Sequence, residues 1–219
     1  MKILELKNVT KIFGDLTVLN GISFEMESGQ SIAIVGPSGT GKTTLLNVAS
    51  LLDTPSGGEI CYFGQKLDVS EYLNIRRKFI GYVYQQHNLM GEFSVLENIE
   101  VIAKLKNAYD LPYIMNLIKE IGIEDIIHKK PSEISGGQKQ RTSIVRAIAS
   151  KPKILFADEP TGNLDPVSAN IAADLLISLA KNHGIGIFLI THNLDIAKKC
   201  DYIYNLDNSG LVGGRSGGI

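Results

Sequence analysis

The most constraining stretch of this sequence is Gly36-Pro37-Ser38-Gly39-Thr40-Gly41-Lys42-Thr43. It follows the apolar run Ser31-Ile32-Ala33-Ile34-Val35 and precedes a helical pattern over 43–52 that begins with Thr43 and Thr44. The eight residues fit G-x-x-x-x-G-K-[ST], and strand, loop and helix are the context that pattern needs. Glycines let the backbone curl until several N–H groups point at one phosphate, and the following helix adds the positive end of its dipole. Lys42 is placed to reach the β- and γ-phosphates and the Thr43 hydroxyl to ligate Mg²⁺. The plain rival is a glycine-rich turn with a surface lysine, and the strand and helix on either side argue against it. Such a loop works at the carboxyl end of a buried parallel strand, so the chain is committed to a layered α/β core.

Two more short apolar runs fit that core, Ile154-Leu155-Phe156-Ala157 and Ile185-Gly186-Ile187-Phe188-Leu189-Ile190. Unbroken apolar runs of this length suit parallel strands covered on both faces. A helix is expected over 166–181, with Asp165 as N-cap, Pro166 at the first helical position, and Ile171, Leu175 and Leu179 on one face. The first 30 residues and 60–85 read as antiparallel strands beside the core, with turns at Gly14-Asp15, Ser28-Gly29 and Gly57-Gly58. Helical patterns over 95–107, 112–121 and 136–150 form an insertion between two halves of the core. The expected organisation is one domain over 1–207. Its core and β subdomain take about 1–88 and 150–207, its helical subdomain about 89–149, and 208–219 is a frayed glycine-rich tail.

Composition supports a buried core, with 44% hydrophobic and 21% charged residues among 219. A net charge of −1 gives no electrostatic case for nucleic acid. Cys61 and Cys200 make neither a disulfide framework nor a zinc spacing, and two buried thiols are expected. The opening residues put Glu5 where a secretory leader needs its apolar centre. No apolar run approaches the roughly 20 residues of a membrane span, so any work at a membrane needs a partner that supplies the spans.

A phosphate loop needs a carboxylate at the end of a neighbouring strand. Asp158 emerges at that end of its apolar run, placed to hold Mg²⁺ directly or through water, and Glu159 follows it, placed to polarise an attacking water. Alone, an Asp-Glu pair is an ordinary solvated strand end; behind this loop it acquires chemistry. Ser135-Gly136-Gly137-Gln138 opens a helix with a capping-box pattern, Ser135 as N-cap and Gln138 three residues on. That is also its plain reading. Two glycines in a helix interior cost about 1 kcal/mol each, while bare N–H groups at a helix N-terminus make a second phosphate site. Two phosphate sites in one chain fit a nucleotide held between two subunits.

Together these segments resemble an ATP-binding-cassette ATPase, the nucleotide-binding subunit of a transporter, over about 1–207 and in the family's motif order. The resemblance implies a P-loop NTPase (RecA-like) core with an antiparallel β subdomain and an inserted helical subdomain. It makes Gly36 to Thr43 the Walker A loop, Asp158 the Walker B carboxylate and Glu159 the catalytic glutamate. Gln85 matches the Q-loop, a Mg²⁺ ligand and hinge at the edge of the helical insertion. Ser135, Gly136, Gly137 and Gln138 match the signature that grips the opposite subunit's ATP, with Ile134 in place of the commoner Leu. Asn163, Leu164 and Asp165 match the D-loop, and His192 the switch histidine. Phe13 lies where the family stacks an aromatic, often Tyr, on adenine. His87, His128 and His183 match nothing and read as structural or solvated, and Arg76-Arg77-Lys78 as a solvated face.

Asp158-Glu159-Pro160-Thr161-Gly162-Asn163-Leu164-Asp165 is similar to the group of cassettes that serve lipoprotein release, peptide or macrolide export, and cell division. The stretch from Tyr84-Gln85-Gln86-His87 to Leu96-Glu97-Asn98 looks most like the lipoprotein-releasing type, with Gly91 departing from a common nearby Pro. The resemblance implies ATP with Mg²⁺, an ATP-dependent homodimer, and a peripheral place on the cytoplasmic face of the inner membrane. It also implies an integral membrane partner whose coupling helix meets the stretch from Gln85 to Asn98. Export and cell-division signalling without cargo remain open at this point.

Overall fold

Strands β3 (Ser31–Val35), β7 (Ile154–Asp158) and β8 (Gly186–Ile190) are buried along nearly their whole length, and alternation explains why their runs are apolar throughout. Ile32, Ile34, Ile154, Phe156, Phe188 and Ile190 face one core, while Ala33, Val35, Leu155, Ala157, Ile187 and Leu189 face the other. Cores on both sides leave polar residues only at strand ends, as with Ser31 and Asp158. The computed structural model describes residues 1–207 and 210–216. These strands pair in parallel with β6 (Ile80–Tyr84) and β9 (Tyr202–Asp207), and β10 (Gly210–Arg215) closes the edge antiparallel to β9. The order is β10-β9-β3-β8-β7-β6.

Register places the site. Tyr84 pairs with Asp158, Asp158 with Ile190, and Ile190 with Ile34. The loops that leave these strands therefore emerge along one edge, and they carry Gln85, Glu159, His192 and Gly36. A second sheet, β2 (Leu16–Glu27), β1 (Lys2–Phe13), β4 (Gly57–Tyr62) and β5 (Gln65–Lys66) in that order, is antiparallel. It covers the face of the core sheet that also carries α1 (Lys42–Ala49). Helices α3 (Val95–Leu105), α4 (Leu111–Ile121) and α5 (Gly136–Ile148) share the opposite core with α6 (Pro166–Asn182). Their starts are capped by Ser94, Asp110, Ser135 and Asp165, each side chain accepting a backbone N–H of the first turn.

The structure corrects the reading of the sequence at four places. Residues 60–85 are not all antiparallel: α2 (Tyr72–Phe79) is a helix, and β6 belongs to the parallel sheet. The run Arg76-Arg77-Lys78 is the last turn of α2, where cations meet the negative end of the helix dipole. Arg76 donates to Leu51 O at 3.0 Å and Arg77 to Leu105 O at 3.3 Å, so the run is tethered as well as solvated. The tail expected to fray from 208 instead forms β10 through Arg215, paired residue by residue with β9; Asn208, Ser209 and 217–219 lie outside the described residues. On α6 the buried stripe is Ala169, Ala172, Ala173, Leu176, Leu179 and Ala180, with Ile171 exposed. Small alanines let α6 approach its neighbours closely, and the larger Ile171 is left outside.

Candidate functional site

The turn after β3 requires glycine at two points. Gly36 has φ +148°, and a Cβ there would meet Leu206 O at 2.2 Å; Gly41, at φ +94°, would bring one to 2.8 Å from Val18. The loop is thus pressed between β9 and the start of β2. Lys42 bends over it and donates to the carbonyls of Gly36 at 2.8 Å and Pro37 at 2.7 Å, while the Thr40 hydroxyl donates to Pro37 O at 2.9 Å. Pro37, Ser38 and Gly39 are exposed at the tip, and Thr44 is half-buried in the first turn of α1.

At the start of α1, the Thr43 hydroxyl donates to Asp158 Oδ2 at 3.1 Å, which joins the phosphate loop to the end of β7. Burial pushes the Asp158 carboxyl above its ordinary range, opposed by the Thr43 hydrogen bond and by the Lys42 charge. Two hard oxygens this close, with a lysine beside them, suit a small divalent cation that takes its remaining ligands from phosphate and water.

Glu159 is the first residue beyond β7 and adopts φ +44°. A non-glycine residue in that region carries a cost on the order of 1 kcal/mol, sustained only where its surroundings dictate it. Here its N–H donates to Ile190 O at 3.0 Å and its carbonyl accepts from Gly162 at 3.0 Å. The bend turns the carboxylate towards β8, where Oε2 lies 2.9 Å from His192 Nδ1. His192 sits between Thr191, whose N–H donates to Ile34 O at 3.2 Å, and Asn193, which caps the short α7 (Leu194–Ala197). Its ring is otherwise open to solvent, with 72% of the side chain exposed.

The structure brings Thr43, Asp158, Glu159 and His192 together and leaves other expected residues farther out. The Gln85 amide donates to Asn163 Oδ1 at 3.5 Å and Asn163 Nδ2 donates to Gln85 O at 3.1 Å, so the end of β6 is held to the loop before α6. In that loop Leu164 packs on the helical core and comes within 3.6 Å of where a Gly136 Cβ would stand, and Asp165 caps α6. Ser135 and Gln138 cap α5 reciprocally, with Ser135 N–H to Gln138 Oε1 at 2.9 Å and Gln138 N–H to Ser135 Oγ at 3.3 Å. Ser135 and Gly136 are exposed, with Gly137 half-buried behind them. Phe13 closes the β1–β2 hairpin opposite Leu16 and keeps 51% of its surface. Beside it a cavity of about 230 Å³ runs between Leu16, Thr17 and Val18 of β2 and Gly39 and Thr40 of the loop.

Sequence reasoning passed over two features. The left-handed turn at Glu159 has no signature in residue type, because glycine or asparagine is what such a φ favours. Lys11, buried beneath Phe13, reads in sequence as one more polar strand residue.

The strand–loop–helix turn at Gly36 and the carboxylate strand β7, which lies beyond β8 and not directly beside β3 as the sequence reading expected, are those of a P-loop nucleotide-binding domain. The family described as ABC transporter matches residues 19–162, most of the chain, and the chain belongs to that family. It is 40% identical over 219 residues to the lipoprotein-releasing system ATP-binding protein LolD of Paramagnetospirillum magneticum, covering 95% of this chain and 97% of that one. The LolD protein of Rickettsia bellii is 37% identical over 218 residues, at 96% and 97% coverage. Among solved structures, the dimeric ATP-binding cassette MJ0796, bound to ADP and Pi after hydrolysis, superposes with a TM-score of 0.85 at 32% identity over 99% of this chain and 100% of that one. CbiO1 of Clostridium perfringens, part of the cbiONQ transporter complex, superposes at 0.87 with 28% identity over 98% and 89%.

Proposed function

We propose that this chain hydrolyses ATP to drive a separate membrane subunit that releases lipoproteins from the inner membrane, working from that membrane's cytoplasmic face. The observation that carries the chemistry is the Glu159–His192 contact at 2.9 Å, one residue beyond the Thr43–Asp158 pair. Gly36 to Thr44 cradle the phosphates with backbone N–H groups, and Lys42 exchanges its loop carbonyls for β- and γ-phosphate oxygens. Mg²⁺ held by Thr43 and Asp158, with Gln85 as a further oxygen ligand, supplies charge neutralisation at the phosphates. Glu159 accepts a proton from the attacking water on the oxygen that His192 leaves free. His192 fixes the carboxylate and offers its exposed ring edge to the γ-phosphate. Ser135, Gly136, Gly137 and Gln138 bind the γ-phosphate of a second copy's ATP, and Asn163, Leu164 and Asp165 meet that copy, so ATP assembles a twofold dimer with two equal sites.

Among the described residues no helix is long and apolar enough to cross a membrane. The partner therefore supplies the spans and meets the stretch from Gln85 to Asn98. The lipoprotein cargo is supported by the similarity to LolD proteins over nearly the whole chain. The test is depletion of the chain in its host, followed by fractionation of the two membranes. Retention of lipoproteins in the inner membrane, with a spanning subunit co-purifying, is the expected result. Normal lipoprotein export with an adaptor-linked efflux subunit co-purifying would sink the cargo assignment and leave the ATPase intact.

A further inference from the structure

Lys11 is a lysine with 8% of its surface exposed, held at three points. Its ammonium donates to Asp53 Oδ1 at 2.7 Å and to Thr54 O at 2.7 Å, and it lies 4.9 Å from the centroid of the Phe13 ring. Asp53 in turn donates its N–H to Asn47 O at 3.1 Å, inside α1, the helix that begins at Lys42. The strand is clamped beside this contact, for Ser56 donates its N–H to Thr10 O at 2.8 Å and accepts the Ile12 N–H at 3.0 Å.

We infer that Lys11 is a positioning residue for adenine: it fixes the Phe13 ring relative to the phosphate-loop helix, so that base and phosphates are gripped by one rigid unit. This rests on the reading of Phe13 as the adenine platform. A ring has two faces. The ammonium occupies one, attracted by the ring quadrupole, and half of the residue's surface stays open for the base. Without the cation, an exposed ring at a hairpin end must be ordered by the nucleotide itself, and that ordering is drawn from binding free energy. The chain of contacts from Phe13 through Lys11 and Asp53 to α1 does the ordering in advance.

The discriminating experiment is calorimetry with ATP and with inorganic tripolyphosphate, which has the phosphates and no base. Lys11→Met should weaken ATP by about fivefold, the size of a partly buried cation–π contact, and leave tripolyphosphate within about twofold. Lys11→Arg, which keeps a cation within reach of Asp53 and the ring, should restore ATP binding. In a Phe13→Ala background Lys11→Met should have no further effect on ATP, because its action passes through the ring. If Lys11→Met fails to fold, Asp53→Asn provides the same comparison by loosening the anchor while keeping the cation. Equal loss of ATP and tripolyphosphate, additive losses with Phe13→Ala, or wild-type ATP binding by Lys11→Met each overturn the inference. Wild-type ATP binding by Phe13→Ala removes the adenine platform itself and separates that failure from the others.

Discussion

The phosphate-loop half and the signature half of this site are held in opposite ways. Around Gly36, side chains from four separate segments reach each other: Lys42 over its own loop, Thr43 on Asp158, Glu159 on His192, and Gln85 on Asn163. Around Ser135 the polar groups close on themselves, with the capping box satisfied inside four residues, Ser135 and Gly136 exposed and Gly137 half-buried. The first half is a tertiary construction whose parts depend on the sheet register. The second is local: its hydrogen bonds are complete within four residues, and Ser135 and Gly136 are exposed. A preassembled half and a self-contained half in one chain fit a site finished by a second copy.

The largest effect that can break this comparison is chemical. Glu159→Gln keeps size and hydrogen bonding but accepts no proton, so hydrolysis should fall by at least about a hundredfold while ATP still binds. By light scattering after size exclusion this variant should be monomeric alone and dimeric with ATP. A rate near wild type would remove Glu159 from the role of base.

Next in size is Lys42→Ala. Loss of a charge-assisted contact to phosphate should weaken ATP by about ten- to a hundredfold in calorimetry, and unchanged affinity in a folded variant would contradict the phosphate-loop assignment. Ser135→Arg, built on Glu159→Gln, sharpens the contrast between the halves. It puts bulk and a cation at the exposed helix end, so dimerisation with ATP should weaken at least tenfold, an on-the-order estimate for one misplaced group at an interface. ATP affinity of the monomer should hold. Parallel loss of both would mean that Ser135 serves its own chain's nucleotide.

The smallest effect concerns stability. The Asp158 carboxyl is raised above its ordinary range by burial. The folded state therefore holds that proton more tightly than the unfolded chain does. The stabilisation is full below the ordinary value and is lost as pH rises through the raised one. At neutral pH, in EDTA and without nucleotide, Asp158→Asn should melt about a degree or two higher than wild type by calorimetry. The difference should shrink towards pH 4, and the variant should lose the stabilisation that Mg²⁺-ATP confers on wild type. A lower melting temperature for the variant at pH 7 would mean that Thr43 and Lys42 outweigh burial.

What could be read in sequence was local. Lys42 and Thr43 were legible because a phosphate loop is one continuous segment, and Ser135 with Gln138 because a capping box spans four residues. Helix α2 was not: only the Asp68–Glu71 capping pair ahead of it, with Asp68 N–H to Glu71 Oε2 at 2.8 Å, marks its approach, and its 8 residues are too short a run for a helical period to stand out. Strand β10 was illegible because glycines at 210, 213 and 214 read as a loop, and only pairing with β9 satisfies their backbone groups.

The sequence by itself determined where the glycine-rich loop lies between strand and helix, where α3, α5 and α6 begin, and that three strands have cores on both faces, since each follows from neighbours a few residues apart. Tertiary structure alone decided that Glu159 meets His192, that Gln85 leans on Asn163 and that Lys11 lies beneath Phe13. These contacts follow from strand order and register, which bring residues tens of positions apart to one edge, and no local pattern of residue types encodes a distance between strands.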